Sequence, residues 1–65
     1  MIGYDEITAY DRHYNVVANR RGTDAREAID AFLKAYATAG FEVVGDRIMA
    51  TRREIEEAYH KVMKL

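Results

Sequence analysis

The chain has 65 residues, no cysteine and a formal net charge of −1, from 10 basic and 11 acidic residues. This length allows one domain, the lack of cysteine excludes disulfides and thiolate metal sites, and the balanced charge gives no general attraction to nucleic acid. Hydrophobic residues make up 49% of the chain, which is enough for a packed core. We therefore expect a single folded domain over residues 1–65.

Membrane and export signals are absent from the sequence pattern. No apolar run is long enough to span a bilayer, and the start of the chain carries acidic residues where a signal peptide would need basic ones. We expect a cytoplasmic protein without membrane contact.

Apolar residues at spacings of three and four predict a first helix over residues 5–21. The stripe consists of Ile7, Tyr10, Tyr14, Val17 and Ala18. Acidic residues at the start and arginines at the end suit the helix dipole, and Gly22 would end the helix. The β-branched Val16 and Val17 favour a strand over residues 14–18, an alternative that the stripe and the end charges outweigh.

A second helix is predicted over residues 24–39. Its apolar stripe consists of Ala25, Ala28, Ile29, Phe32, Leu33 and Tyr36. Thr23 or Asp24 would cap the start, with Glu27 completing a capping box. Gly40 would close the end in a Schellman motif, with Phe41 as the apolar contact.

Residues 41–50 form the pattern of a β-hairpin around Gly45-Asp46, a dipeptide that suits a two-residue turn. Such a turn places Val43 opposite Ile48 and Val44 opposite Arg47. One face of the hairpin is then wholly apolar, with Phe41, Val43, Ile48 and Ala50.

A third helix is predicted over residues 51–64, because Thr51 and Glu54 have the spacing of a capping box. Its apolar stripe, predicted to be buried, consists of Ile55, Ala58, Tyr59 and Val62. Residues 50–65 resemble the start of the second helix of a J domain. The His-Pro-Asp motif of that family is missing, so no function is carried over. The predicted fold is a small α+β domain of order α-α-β-hairpin-α, with three amphipathic helices and a two-stranded antiparallel hairpin.

The function we expect is a small non-enzymatic protein-binding module, a regulator or inhibitor of a larger protein of the kind common in phages and mobile elements. Apolar side chains on outward faces and nearby arginines form the candidate partner-binding set: Val16, Val44, Arg47, Met49, Arg52 and Arg53. Tyrosine is enriched at interfaces, and the chain has five, although core packing explains them equally well. A homodimer would use the same surfaces.

The alternative function is a winged-helix-like nucleic-acid regulator. Residues 20–23 have the length and the glycine of a helix-turn-helix turn, and the hairpin could act as the wing. The basic residues of this alternative are Arg20, Arg21, Arg47, Arg52 and Arg53. Against it, the would-be recognition helix presents Asp24, Glu27 and Asp30, where phosphate contact needs a basic face.

Catalysis and metal binding have little support in the sequence. His13 and His60 are the two histidines, and Glu56 with His60 is a single i,i+4 pair of a kind common on helix surfaces. No phosphate loop, nucleophile elbow or His-Glu-x-x-His motif is present. We expect no enzyme activity, no cofactor and no metal.

Overall fold

The computed structural model describes residues 5–62, which form four strands and two helices. In chain order the elements are β1 (Asp5–Asp11), β2 (Val16–Gly22), α1 (Ala25–Thr38), β3 (Val43–Val44), β4 (Arg47–Ile48) and α2 (Arg52–Val62). The strands form one mixed sheet in the order β2-β1-β4-β3. The predicted fold of three helices and a separate two-stranded hairpin is therefore wrong.

The error lies in residues 5–21, which form the antiparallel hairpin of β1 and β2 instead of a helix. Ile7, Ala9 and Asp11 alternate with Glu6, Thr8 and Tyr10, the period of a strand with one buried face. The core cluster includes Ala9, and Ile7 packs against it. Spacings of three and four also occur in this stretch by coincidence, and the pairing of two long strands decides the outcome.

The turn between β1 and β2 is organised by the carboxylate of Asp11, which is fully buried. Its Oδ1 accepts hydrogen bonds from the backbone N–H groups of His13 at 2.8 Å and Asn15 at 2.9 Å. Its Oδ2 accepts a third from the side-chain amide of Asn15 at 3.2 Å. Tyr14 has a φ of 67°, a conformation that side chains rarely adopt and that this network holds in place.

The register of β1 and β2 places Ile7 opposite Arg20 and Ala9 opposite Ala18, and it shifts by one residue after Ala9. This irregularity allows both Val17 and Ala18 to pack against the core cluster. Gly22 has positive φ, as expected, but it is the last residue of a strand and does not end a helix.

Helix α1 lies within the predicted range 24–39 and supplies most of the core. Its buried residues are Ala25, Ile29, Phe32, Leu33 and Tyr36. The expected side-chain cap is absent, because Asp24 makes no cap hydrogen bond. The Schellman ending is confirmed: Phe41 N–H donates to the Tyr36 carbonyl at 3.0 Å, and Gly40 N–H donates to the Ala37 carbonyl at 3.1 Å.

Strands β3 and β4 pair Val43 with Ile48 and Val44 with Arg47, as the two-residue turn requires. The hairpin does not stand alone, because β4 runs parallel to β1 and pairs Tyr10 with Arg47 and Asp11 with Ile48. Tyr10 N–H also donates to the Asp46 carbonyl at 2.9 Å. The hairpin thus extends the sheet that the first two strands begin.

Helix α2 begins with the capping box. Thr51 N–H donates to Glu54 Oε1 at 2.9 Å, and Glu54 N–H donates to the Thr51 hydroxyl oxygen at 3.1 Å. Hydrogen bonding to Thr51 lowers the pKa of Glu54. Ile55 is the buried residue of this helix. The predicted end of the helix at residue 64 lies outside the described residues.

The outer edge of β2 is partly covered by arginines. A guanidinium nitrogen of Arg52 donates to the Val16 carbonyl at 2.6 Å, and one of Arg20 donates to the Asn19 carbonyl at 2.9 Å. Charged side chains at an exposed edge discourage the addition of further strands. None of the helices in residues 5–62 is long and apolar enough to cross a bilayer.

Candidate functional site

The sheet has one face that α1 and α2 leave uncovered, which we call the open face. Both helices bury side chains in the single core cluster on the other face, together with Ala9 and Ile48. Side chains alternate along a strand, so the neighbours of Ala9 and Ile48 in β1 and β4 point to the open face. Thr8, Tyr10 and Arg47 are these neighbours, and each is half-buried.

One half of the open face is a polar group whose members satisfy one another. The side-chain amide of Asn19 donates to the Thr8 hydroxyl oxygen at 2.7 Å and to Glu6 Oε2 at 3.3 Å. Arg21 forms an ion pair with the same glutamate at 3.4 Å. These side chains already bond to one another, so this part of the face has few free hydrogen-bonding groups for a partner.

The other half consists of four residues that the strand register places side by side, one on each strand. Tyr10 pairs with Val16 on one side and with Arg47 on the other, and Arg47 pairs with Val44. We call Val16, Tyr10, Arg47 and Val44 the cross-strand row. With neighbouring strands about 4.8 Å apart, the row spans roughly 14 Å.

Tyr14 extends this row from the turn. Its ring lies over the guanidinium of Arg47, whose central carbon is 3.7 Å from the ring centroid. The row and Tyr14 together expose much apolar surface, since the exposed fraction is 66% for Tyr14, 46% for Val16 and 59% for Val44. Such residues singly are normal on protein surfaces, but here they adjoin one another.

Arg47 is the chemically distinctive member. The Tyr14 ring and the sheet seal its Nε from solvent, and this atom has no hydrogen-bond partner among the described residues. A buried N–H without a partner is costly, and a cation stacked on an aromatic ring is partly desolvated. The exposed faces of the row therefore surround a positive charge that no carboxylate among the described side chains neutralises.

The structure brings together only some of the residues that the sequence singles out. Val16, Val44 and Arg47 lie in the row, and Arg52 adjoins it through its hydrogen bond to the Val16 carbonyl. Met49, 37% exposed, lines a separate hollow beside α2 with Glu57 and Lys61.

Arg53 also lies outside the row, on the exposed surface of α2, where it pairs with Glu57 at 3.5 Å.

The five arginines of the nucleic-acid alternative do not form one patch. Arg20 and Arg21 lie four to five residues along β2 from Val16, a separation of about 13 Å or more from the Arg52 contact. Glutamates neutralise three of the five: Arg21, Arg52 and Arg53. The helix-turn-helix that would have presented them does not exist, because its first helix is a strand pair.

Two tyrosines of the site were misassigned from the sequence. Tyr10 and Tyr14 were predicted to be buried on a helical stripe, yet Tyr10 is half-buried on the open face and Tyr14 is exposed. The strand alternation of residues 6–11 could have placed Tyr10 correctly. Tyr59, also predicted to be buried, is 50% exposed.

A second hollow, of about 240 Å³, lies between β2, α1 and α2. Val17, Phe32 and Tyr59 form its apolar walls, with Arg52 and Glu56 at its rim. These two charged residues already pair with each other at 3.0 Å. His60 borders this hollow, and the other histidine, His13, contributes its backbone N–H to the turn.

Comparisons of the chain with protein-family models, with curated proteins and with solved structures find no match.

Proposed function

We propose that the chain is a non-enzymatic protein-binding module that docks a partner protein on the cross-strand row. The observation that carries the proposal is the adjacency of Tyr14, Val16, Val44 and Arg47 on the open face, which α1 and α2 leave uncovered. Tyrosine and arginine dominate the binding energy of many protein interfaces, and aliphatic neighbours exclude water around them. A module of this kind acts as a regulator or inhibitor by occupying the surface of its partner.

The architecture supports recognition by this face. The row is built on four hydrogen-bonded strands with a packed core behind them, so its side chains are held in place before a partner arrives. The outer edge of β2 is partly closed by Arg20 and Arg52, which favours docking on the face over strand addition at that edge.

Nucleic-acid binding has less support from the same geometry. Three arginines carry glutamate partners, which reduces the positive charge available for phosphates. We keep this function as an outcome of the test below.

The test compares three forms of the chain as bait in a lysate of the source organism. Val44→Asp places a charge in the row, and Ala31→Asp places the same charge on the exposed side of α1 as the control. We expect a partner to be retained by the wild type and by Ala31→Asp. Binding of the purified partner to Val44→Asp is expected to be about 30-fold weaker, as for a strong interface residue.

Circular dichroism of all three forms checks that the fold is intact. A partner that binds Val44→Asp as tightly as the wild type would contradict the proposal. Sedimentation of the free chain tests for a homodimer, which Val44→Asp should dissociate if the partner is a second copy. Binding to duplex DNA that weakens steeply with salt and is unaffected by Val44→Asp would favour the nucleic-acid function.

A further inference from the structure

The cross-strand row has a charge preference that can be derived from the arginines of the chain. Arg21, Arg52 and Arg53 each have a glutamate within 3.5 Å. Among the described side chains, those of residues 6–62, no carboxylate pairs with Arg47. Other arginines in the described part of the chain also lack a carboxylate partner, but they are exposed. Arg47 differs because it is half-buried.

Partial burial strengthens the attraction of this cation for an anion. The Arg47 guanidinium lies on the Tyr14 ring, its Nε is sealed from water, and valines lie along the row on both sides. In such an environment a carboxylate that approaches the terminal nitrogens is screened less than at an open surface. Arginine also offers paired N–H donors in the geometry that a carboxylate accepts.

The apolar neighbours define the second part of the ligand. Val44 lies about one strand spacing from Arg47, and Val16 about two, which correspond to roughly 5 and 10 Å. A peptide in extended conformation advances about 3.3 Å per residue. An apolar side chain within three positions of the acidic one can therefore reach a valine while the carboxylate contacts Arg47.

We propose that the row recognises an aspartate or glutamate side chain with an apolar side chain within three positions, on an exposed segment of a partner protein. The carboxylate binds the terminal guanidinium nitrogens of Arg47, and the apolar side chain packs on Val44 or Val16. This inference rests on the proposed function and adds the chemical class of the partner.

The test uses a displayed library of random 12-residue peptides, selected in parallel on the wild type, Arg47→Glu, Arg47→Gln and Lys34→Glu. Lys34 is exposed on α1, so its charge reversal is the matched control. Peptides selected by the wild type and by Lys34→Glu are expected to contain the acidic-apolar pattern. Arg47→Glu is expected to select lysine or arginine instead, and Arg47→Gln is expected to show no charge preference.

A synthetic peptide from the wild-type selection then measures the contact directly. Replacing its acidic residue by the corresponding amide is expected to weaken binding to the wild type at least tenfold and to leave binding to Arg47→Gln within about twofold. Such coupling assigns the carboxylate to Arg47. Arg47→Gln also serves if the charge reversal disturbs the fold, which circular dichroism would show.

The outcomes separate this inference from the proposed function. Peptides that lose binding to Val44→Asp but show no acidic preference would overturn the inference and leave the binding face intact. A selection that enriches no pattern would overturn the inference alone, since partner capture tests the function independently. Peptides and a captured partner that both bind Val44→Asp as tightly as the wild type would overturn both.

Discussion

The Asp11→Ala variant is expected to lose about 3 kcal/mol of unfolding free energy, a large part of the stability of a small domain. The carboxylate is fully buried and accepts three hydrogen bonds within the turn. Its removal leaves the backbone N–H groups of His13 and Asn15 without those partners, and it releases the unusual backbone of Tyr14. Urea titration followed by circular dichroism measures the loss.

The control is His13→Ala. His13 is exposed, and only its backbone N–H contacts the carboxylate, so this variant should retain stability within about 0.5 kcal/mol of the wild type. A loss of unfolding free energy for His13→Ala as large as that for Asp11→Ala would contradict a specific role of the carboxylate in the turn.

The same carboxylate gives a pH dependence with a defined sign. Burial alone would raise the pKa of Asp11, but the hydrogen bonds from Asn15 and His13, together with the charge of His13, lower it below the ordinary value of 3.8. The folded state therefore binds this proton less readily than the unfolded state. The resulting stability is present above the ordinary pKa and is lost as the pH falls through the lowered one.

We therefore compare the wild type with Asp11→Asn between about pH 6 and pH 2. The asparagine variant lacks the titrating group but keeps its shape, and contributions from other carboxylates, such as Glu54, occur in both proteins. The wild type is expected to be more stable at neutral pH, with the difference shrinking in acid. Stability curves that run parallel over the whole range would contradict this account.

Tyr36→Ala is expected to cost about 4 kcal/mol, and Tyr36→Phe about 1 kcal/mol. The Tyr36 ring is fully buried, with its centroid 5.0 Å from that of Phe32 and 5.4 Å from that of Phe41. Its hydroxyl donates to the Ile55 carbonyl at 3.0 Å, which joins the two helices. The alanine variant loses the ring, the hydrogen bond and the packing, whereas the phenylalanine variant loses only the hydrogen bond.

Thermal unfolding of both variants, with Tyr59→Ala as a control of the same residue type, separates these contributions. Tyr59 is 50% exposed, so its replacement should cost about 1 kcal/mol or less. A loss for Tyr36→Phe as large as that for Tyr36→Ala would mean that the hydrogen bond dominates. Partial unfolding of Tyr36→Ala without denaturant is consistent with the expected size of the effect.

The parts of the fold that the sequence predicts well are those set by local rules. The stripe of α1 repeats at spacings of three and four residues. The Schellman ending at Gly40 joins residues at most five positions apart, and the capping box joins Thr51 to Glu54, three positions away. The hairpin register around Gly45-Asp46 follows from turn geometry alone. Each of these features is specified by residues that are close in the sequence.

The first third of the chain was misassigned because its structure depends on distant partners. The apolar residues of the segment 5–21 fit both the spacing of a helix and the alternation of a strand. Intrinsic propensities distinguish these two structures only weakly. The strands are selected by their pairing with each other, which joins residues as far apart as Asp5 and Gly22, and by the pairing of β1 with β4, which joins Tyr10 to Arg47 across 37 positions of sequence. The burial of Asp11 is not predictable from the local sequence either. A charged residue is rarely buried unless partners satisfy it, and the partners of Asp11 are set by the turn.

The candidate site was predicted in part for the same reason. Val44 and Arg47 followed from the hairpin register, but their neighbours Tyr10 and Val16 depend on the parallel pairing of β1 and β4. The sequence predicts an exposed Val16 only because it predicts a helix over residues 5–21, which the structure does not contain. The contact of Tyr14 with Arg47 requires the turn conformation, which no local pattern specified.

The parallel seam between β1 and β4 consists of two residue pairs, whereas β1 and β2 form six pairs. Because the seam has so few pairs, we expect it to open locally before the rest of the sheet in the native protein. The cross-strand row and the Tyr14–Arg47 stack both bridge it. A partner bound across the seam would therefore hold its two strands together and slow hydrogen exchange of the Tyr10 amide. Binding to the face and stability of the seam are then thermodynamically linked.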